Sequence, residues 1–342
     1  MQYVEIPAFG DVDQLKLREG PDPEPGPGEV LIEVTSIGLN HAELMARRGE
    51  YKAASGEPPF IPGIECGGVI TSVGDSVSPD RVGERVAVSP AAPRNEATGG
   101  GTYRSHYVCP ADHALAVPDA VPDDQLGALW LAYLTAWGAL VVKHEIGPGD
   151  IVGLPAASSS VALAAAQIAR DRGAVPIGLT RYEDKAEQIQ DLPTAAYEHV
   201  IATHDRDDGS LTRFDRKLKE LTDGQGVDLF FDPVAAGAYL QQEIRSLASG
   251  GSVCIYGLLG KPDQLDVQPL IIRGGSITSF VLYQLLDGDP PPWRHACGEI
   301  LKRFADGRFV QHLDATWPLA EVQTAHAEME KSEHAGKLAL VP

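Results

Sequence analysis

From Asp150 onward the chain repeats one grammar, strand then helix then strand, and this alternation limits the fold more than any other feature. Ile151-Val152-Gly153-Leu154 is followed by a serine-rich turn, a helical stretch over 161–172 and a second apolar run, Val175-Pro176-Ile177-Gly178-Leu179-Thr180. Further β-rich runs stand at 199–201, 227–231, 252–257 and 276–281, with helical segments between them. Such a series predicts a doubly wound parallel sheet.

The first hundred residues follow a different rule. Val30-Leu31-Ile32-Glu33-Val34, the run 67–74 and Arg85-Val86-Ala87-Val88 are short strands separated by Pro and Gly, which predicts a small, partly open β-barrel. Pro21, Pro23, Pro25 and Pro27 precede the first of these as an extended surface loop. After Pro290-Pro291-Pro292 the parallel pattern stops, and an amphipathic stretch over 293–304 leads to the closing Gly336-Lys337-Leu338-Ala339-Leu340. A length of 342 residues fits two domains. We expect them at 1–122 with 284–342, and at 123–283.

Charge removes several classes of partner. Lys and Arg number 28 against 48 Asp and Glu, a formal net charge of −20. Nucleic acid and anionic membrane are therefore not expected partners. The uncharged run 126–142 is short of the ~20 residues that span a bilayer, and it predicts a buried helix. Cys66, Cys109, Cys254 and Cys297 form no C-x-x-C pair, and Met1 opens onto a polar, strand-like segment. A reducing cytoplasm is the expected compartment.

The turn after 151–154 reads Pro155-Ala156-Ala157-Ser158-Ser159-Ser160-Val161, where a dinucleotide fingerprint would carry glycines. Its task is to aim backbone N–H groups at a pyrophosphate, and small hydroxyl residues at a helix start can do so; an ordinary serine cap would look the same. The next strand ends Thr180-Arg181-Tyr182-Glu183-Asp184-Lys185. Where an NAD site needs an acid for the ribose 2′-hydroxyl, Arg181 stands instead. Arg181 and Lys185 would clamp a 2′-phosphate, so NADPH is the expected cofactor, although either residue would serve equally on a solvated helix start.

Several motifs together carry a family resemblance over nearly the whole chain: Gly38-Leu39-Asn40-His41-Ala42-Glu43, Arg48-Gly49-Glu50-Tyr51, Pro62-Gly63-Ile64-Glu65-Cys66-Gly67-Gly68, Leu134-Thr135-Ala136, the serine turn, Gly226-Val227-Asp228 and Gly336-Lys337. In this order they resemble the medium-chain dehydrogenase/reductase superfamily, in its zinc-independent quinone oxidoreductase branch. The resemblance implies a GroES-like, partly open β-barrel catalytic domain beside a Rossmann domain. By motif alignment the catalytic zinc ligands of the alcohol dehydrogenase branch fall at Asn40, Ile64 and about Leu131, none of which is a usable ligand, and residues 89–107 hold no cysteine for a structural zinc. No metal is expected.

Without zinc, the accessible chemistry is hydride delivery from NADPH to a quinone or to the β-carbon of an α,β-unsaturated carbonyl. The resemblance puts Tyr51 and Asn40 at the acceptor end, Tyr51 as donor to the developing oxyanion and Asn40 as an orienting amide. It also puts Thr135 beneath the nicotinamide, Gly257 against its ribose and Lys337 towards the phosphates. Tyr197 is expected near the adenosine phosphate or simply packed, and Glu65 as a structural partner. The edge run 276–281 points to a homodimer. Two other readings remain open at this stage: an enoyl-thioester reductase, and a non-catalytic NADPH-binding scaffold.

Overall fold

The computed structural model describes residues 1–52, 54–92, 100–287 and 289–342. Strands and helices are numbered along the chain. In its first part β1 (Gln2–Glu5) and β2 (Lys16–Glu19) form a hairpin, followed by β3 (Glu29–Gly38), α1 (His41–Arg47), β4 (Cys66–Val73), β5 (Arg85–Val88), β6 (His106–Pro110) and β7 (Ala114–Ala116). The segments Met1–Leu131, Cys297–Gly307 and Gln311–Pro342 make one compact unit; Ala132–Ala296 with Arg308–Val310 make the other.

The ten-residue β3 organises the first unit. It pairs antiparallel with β4 and β6, and its register against β4 slips twice, between Leu31 and Ile32 and between Val34 and Ser36. Each slip is a bulge that bends the strand, so the sheet curls. The C-terminal segment completes it: β15 (Lys337–Val341) pairs with the far end of β3, and β14 (Leu313–Pro318) pairs parallel with β15. Strand order is β14-β15-β3-β4-β5-β7. Val4, Ile32, Ile37, Leu39, Val86 and Leu340 are among the buried core residues within the curl.

In the second unit β8 (Ile151–Pro155), α3 (Ser160–Asp171), β9 (Val175–Thr180), α4 (Glu183–Gln190) and β10 (His199–Ala202) open the alternation. It continues through α5 (Phe214–Leu221), β11 (Val227–Asp232), α6 (Gly237–Ser246), β12 (Leu247–Ile255), α7 (Gln268–Arg273) and β13 (Ser276–Ser279). The six strands are parallel, in the order β10-β9-β8-β11-β12-β13. This is the 3-2-1-4-5-6 order of a doubly wound sheet, whose direction of winding reverses at β8. Pro176 sits inside β9, paired with Val152, and its carbonyl accepts from Glu198 N–H, so the missing donor costs the neighbouring β10 one ladder bond only. The remaining helices are α8 (Tyr283–Leu286), α9 (Trp293–Ala305) and α10 (Val322–Lys331).

The uncharged run 126–142 is helical but not one helix. A 3₁₀ segment (Asp123–Ala128), α2 (Trp130–Trp137) and a π-helical turn (Gly138–Lys143) succeed one another. Glycines at the joints admit close neighbours: a Cβ at Gly127 would lie 2.0 Å from the Ser36 carbonyl oxygen, and one at Gly138 would lie 2.3 Å from the Phe280 ring. Among the described residues no helix is long and apolar enough to cross a membrane.

Candidate cofactor and acceptor sites

At the end of β8, where the winding reverses, the chain turns through Ala156 with φ +52°, a left-handed conformation that a glycine fingerprint would supply without strain. The turn compensates with hydrogen bonds. Ser159 is the N-cap of α3, its hydroxyl oxygen accepting from Ala162 N–H at 3.2 Å, and Ala157 N–H donates to Leu179 carbonyl at 3.0 Å. Ser160 and Val161 are the first helical residues, so their N–H groups have no carbonyl one turn back within α3. One tyrosine braces the turn. Tyr197, buried, donates its hydroxyl hydrogen to the Ala157 carbonyl at 2.8 Å, and its ring lies so close to Gly178 that a Cβ there would be 3.1 Å away. Tyr256 stacks on Phe231 with ring centres 3.9 Å apart. Burial pushes both phenols well above their ordinary range. Tyr197 therefore braces the turn after β8.

Beyond β9, Thr180 is buried and its carbonyl accepts from both the N–H and the hydroxyl of Thr203, at 2.8 Å each. Arg181 is exposed and has no ion-pair partner among the described residues; its guanidinium carbon stands 6.0 Å from the Tyr182 ring centre. Lys185 follows one turn into α4, half-buried. Arg206, on the loop after β10, also lies over Tyr182, at 5.5 Å, and pairs with Asp184. A pocket of about 440 Å³ opens beside them, lined in part by His204, Arg206, Arg213 and Lys217. Sequence reasoning missed Arg206, because only the pairing of β10 beside β9 brings its loop to Tyr182. A turn of small residues at the reversal point, the first N–H groups of α3 and the unpaired Arg181 together fit a dinucleotide with a 2′-phosphate.

Thr135 lies half-buried on α2, and Gly257 follows β12. A Cβ at Gly257 would approach the Pro233 carbonyl oxygen to 3.1 Å, so strand-to-loop packing already favours glycine there.

Lys337 is the main correction to the sequence reading. Its ammonium does not stand free for phosphates: the side chain is 1% exposed, and Nζ donates to Glu65 Oε1 and Asn40 Oδ1, at 2.5 Å each. The cause is register. Ala339 pairs with Gly38, and Leu39 N–H donates to Leu338 carbonyl at 2.9 Å, so the antiparallel pairing carried on places Lys337 opposite Asn40. A Cβ at Gly38 would come 2.6 Å from Glu65 Oε1 and 2.9 Å from Lys337 Cε, which explains the glycine.

Glu65, buried, spends its other oxygen on the N-terminus of α2, accepting from Trp130 and Leu131 N–H at 3.1 and 2.9 Å. Asn40 is the N-cap of α1 in a reciprocal capping box with Glu43, whose Oε2 accepts the Asn40 backbone N–H at 2.6 Å. Burial raises the Glu43 carboxyl to about 7, against the opposing pull of Lys337. The Asn40-x-x-Glu43 spacing carried that capping signal in the sequence. Tyr51 sits half-buried on the loop after α1, its carbonyl accepting from Ala54 and Ser55 N–H. Among the described residues no group of three or more His, Cys, Asp or Glu is placed to hold a metal ion.

The 3-2-1-4-5-6 sheet, with a helix-capped turn at its reversal, is the arrangement of dinucleotide-dependent oxidoreductases. Comparison with known proteins narrows the class. A model described as alcohol dehydrogenase GroES-like domain matches residues 26–119, and one described as zinc-binding dehydrogenase matches 160–301. A 2-haloacrylate reductase from Burkholderia sp. is 31% identical over 93% of this chain and 92% of its own. A phenolphthiocerol/phthiocerol polyketide synthase subunit of Mycobacterium tuberculosis is 29% identical over 98% of this chain, which spans only 14% of that protein. Among solved structures, a mycobacterial quinone oxidoreductase aligns over the whole of both chains with TM-score 0.81 and 26% identity. A mycobacterial protein complexed with NADPH does so with TM-score 0.83 and 26% identity. The chain belongs to the medium-chain dehydrogenase/reductase superfamily, in its quinone oxidoreductase-like branch.

Proposed function

We propose that this oxidoreductase is a zinc-independent NADPH-dependent reductase whose acceptor is a quinone or the β-carbon of an α,β-unsaturated carbonyl compound. NADPH supplies the hydride when bound. The serine-capped turn and the first N–H groups of α3 take its pyrophosphate, with Thr180, Thr135 and Gly257 along the remaining dinucleotide, and Arg181 with Lys185 takes the 2′-phosphate. Tyr51 donates a hydrogen bond to the acceptor oxygen as charge develops there, and Asn40 orients the acceptor. Acceptor chemistry belongs to 1–122 with 284–342, and cofactor binding to 123–283. The residues at the aligned zinc places, Asn40, Ile64 and Leu131, argue for metal-free chemistry.

The single observation that carries this reading is the exposed, unpaired guanidinium of Arg181 at the end of β9, where an acid would mark an NAD enzyme. Its test is NADPH oxidation across a panel of quinones and enones by folded, cofactor-loaded protein. Turnover of at least one member is expected, and none with any member overturns the reading.

The likeness of the whole chain to a segment of a polyketide synthase favours a second reading, reduction of an enoyl thioester. Crotonyl-CoA in the same panel decides between the two. We place the enzyme in the cytoplasm, in keeping with four buried cysteines that form no disulfide, and as a homodimer through the edge of β13.

A further inference from the structure

We propose that Glu43 and Lys337 are positioning residues that fix the carboxamide of Asn40, with Glu43 acting through its proton. The inference rests on the reading of Asn40 as an acceptor-site residue.

Lys337 can only donate, so its bond to Oδ1 decides which way the amide faces. The two amide hydrogens then meet three acceptors: Gly38 carbonyl at 3.3 Å, Glu43 Oε1 at 3.3 Å and Glu65 Oε1 at 3.2 Å. Glu65 is committed to Lys337 and to the α2 N-terminus. Glu43 is the member free to change. Ionised, it accepts from the amide and gives the cluster a net charge of about −1. Protonated, with Oε2 held by the Asn40 backbone N–H, it turns an O–H towards the amide, which must then lean on Glu65 and Gly38. The cluster is now neutral. Hydride arrival builds negative charge on an acceptor oxygen, so the neutral cluster is the one that favours reduction.

Tyr103, His326, Arg47 and His41 stand around the cluster. Tyr103 faces Glu43 and is pushed well up by burial. Behind it His326 bonds the Tyr103 hydroxyl and is pushed down to about 3, and Arg47 is paired with Glu330. On the Lys337 side His41, beside His334 and Arg48, is lowered from its ordinary value by burial.

Asn40 is one of only two asparagines in the chain, with Asn95, so [¹⁵N]asparagine labelling of the full protein leaves two side-chain amides to follow by NMR. The Asn40 amide is expected to move with pH, with an inflection at about 7, and the inflection is expected to vanish in Glu43→Gln. In parallel, kcat/KM for 1,4-benzoquinone should fall about 10-fold across that inflection in the wild type, stay at its low-pH level in Glu43→Gln, and leave KM for NADPH unchanged. A wild-type amide that does not titrate in folded protein overturns the inference whatever the variant does, as does an unaltered inflection in Glu43→Gln. Failure of every acceptor overturns the reductase reading instead, and the amide titration still judges the coupling.

Discussion

Tyr197 donates its phenolic hydrogen to the carbonyl of Ala157 at 2.8 Å, tying the loop before β10 to the glycine-poor turn after β8. Tyr197→Phe takes the donor from a buried carbonyl, a cost of about 1–3 kcal/mol. Thermal unfolding should come several degrees lower. NADPH should bind roughly 3- to 10-fold more weakly, measured by calorimetry, because the turn no longer holds its N–H groups in place. Unchanged affinity would mean that the turn is rigid without its brace.

Unit two contains a second proton-holding pair. Glu243 is fully buried, neither of its carboxyl oxygens has a hydrogen-bond donor among the described residues, and it lies beside Asp232, which accepts from Val234 and Ala235 N–H. Burial and the Asp232 charge raise Glu243 well above its ordinary value of 4.5. The folded state thus keeps a proton that the unfolded chain gives up. Stability from this group is complete below 4.5 and is lost as pH rises towards the raised value. Glu243→Gln should therefore flatten the fall in unfolding temperature from pH 5 to 9 and raise it at the alkaline end.

Among the described residues the edge strand β13 pairs with β12 alone, and the chain exposes Leu258 (65%), Ile271 (77%) and Ile272 (72%). A homodimer that covers this face should give way to monomer when Ile277, on the strand itself, is changed to Lys. Sedimentation velocity at micromolar concentration reads the outcome. A wild-type monomer would remove the dimer from the account.

Much of this was legible in the sequence, for identifiable reasons. The period of strand and helix after Asp150 is local, so both the parallel sheet and the place of the serine-rich turn between β8 and α3 follow from it. Arg181 could be singled out because its place after β9 depends only on its distance from a strand end. Lys337 was misread because its surroundings come from a pairing across some 300 residues, between β15 and the end of β3, that local pattern does not reveal. Tyr197 was visible as an aromatic in the right segment, but its partner was not. Glu43 carried a capping-box signal, yet its raised carboxyl depends on burial beside Glu65 and Lys337. The run 126–142 looked like one helix because hydrophobicity does not report the close approaches at Gly127 and Gly138.

The most direct test of the central claim is a paired titration of the protein with NADPH and NADH, in the wild type and in Arg181→Ala, following tryptophan quenching. NADPH should bind the wild type about 10- to 100-fold more tightly than NADH, the yield of one or two charge-assisted bonds to the 2′-phosphate, and Arg181→Ala should erase most of that difference while leaving NADH where it was. Equal affinity for the two cofactors, or a preference untouched by the substitution, would contradict the account.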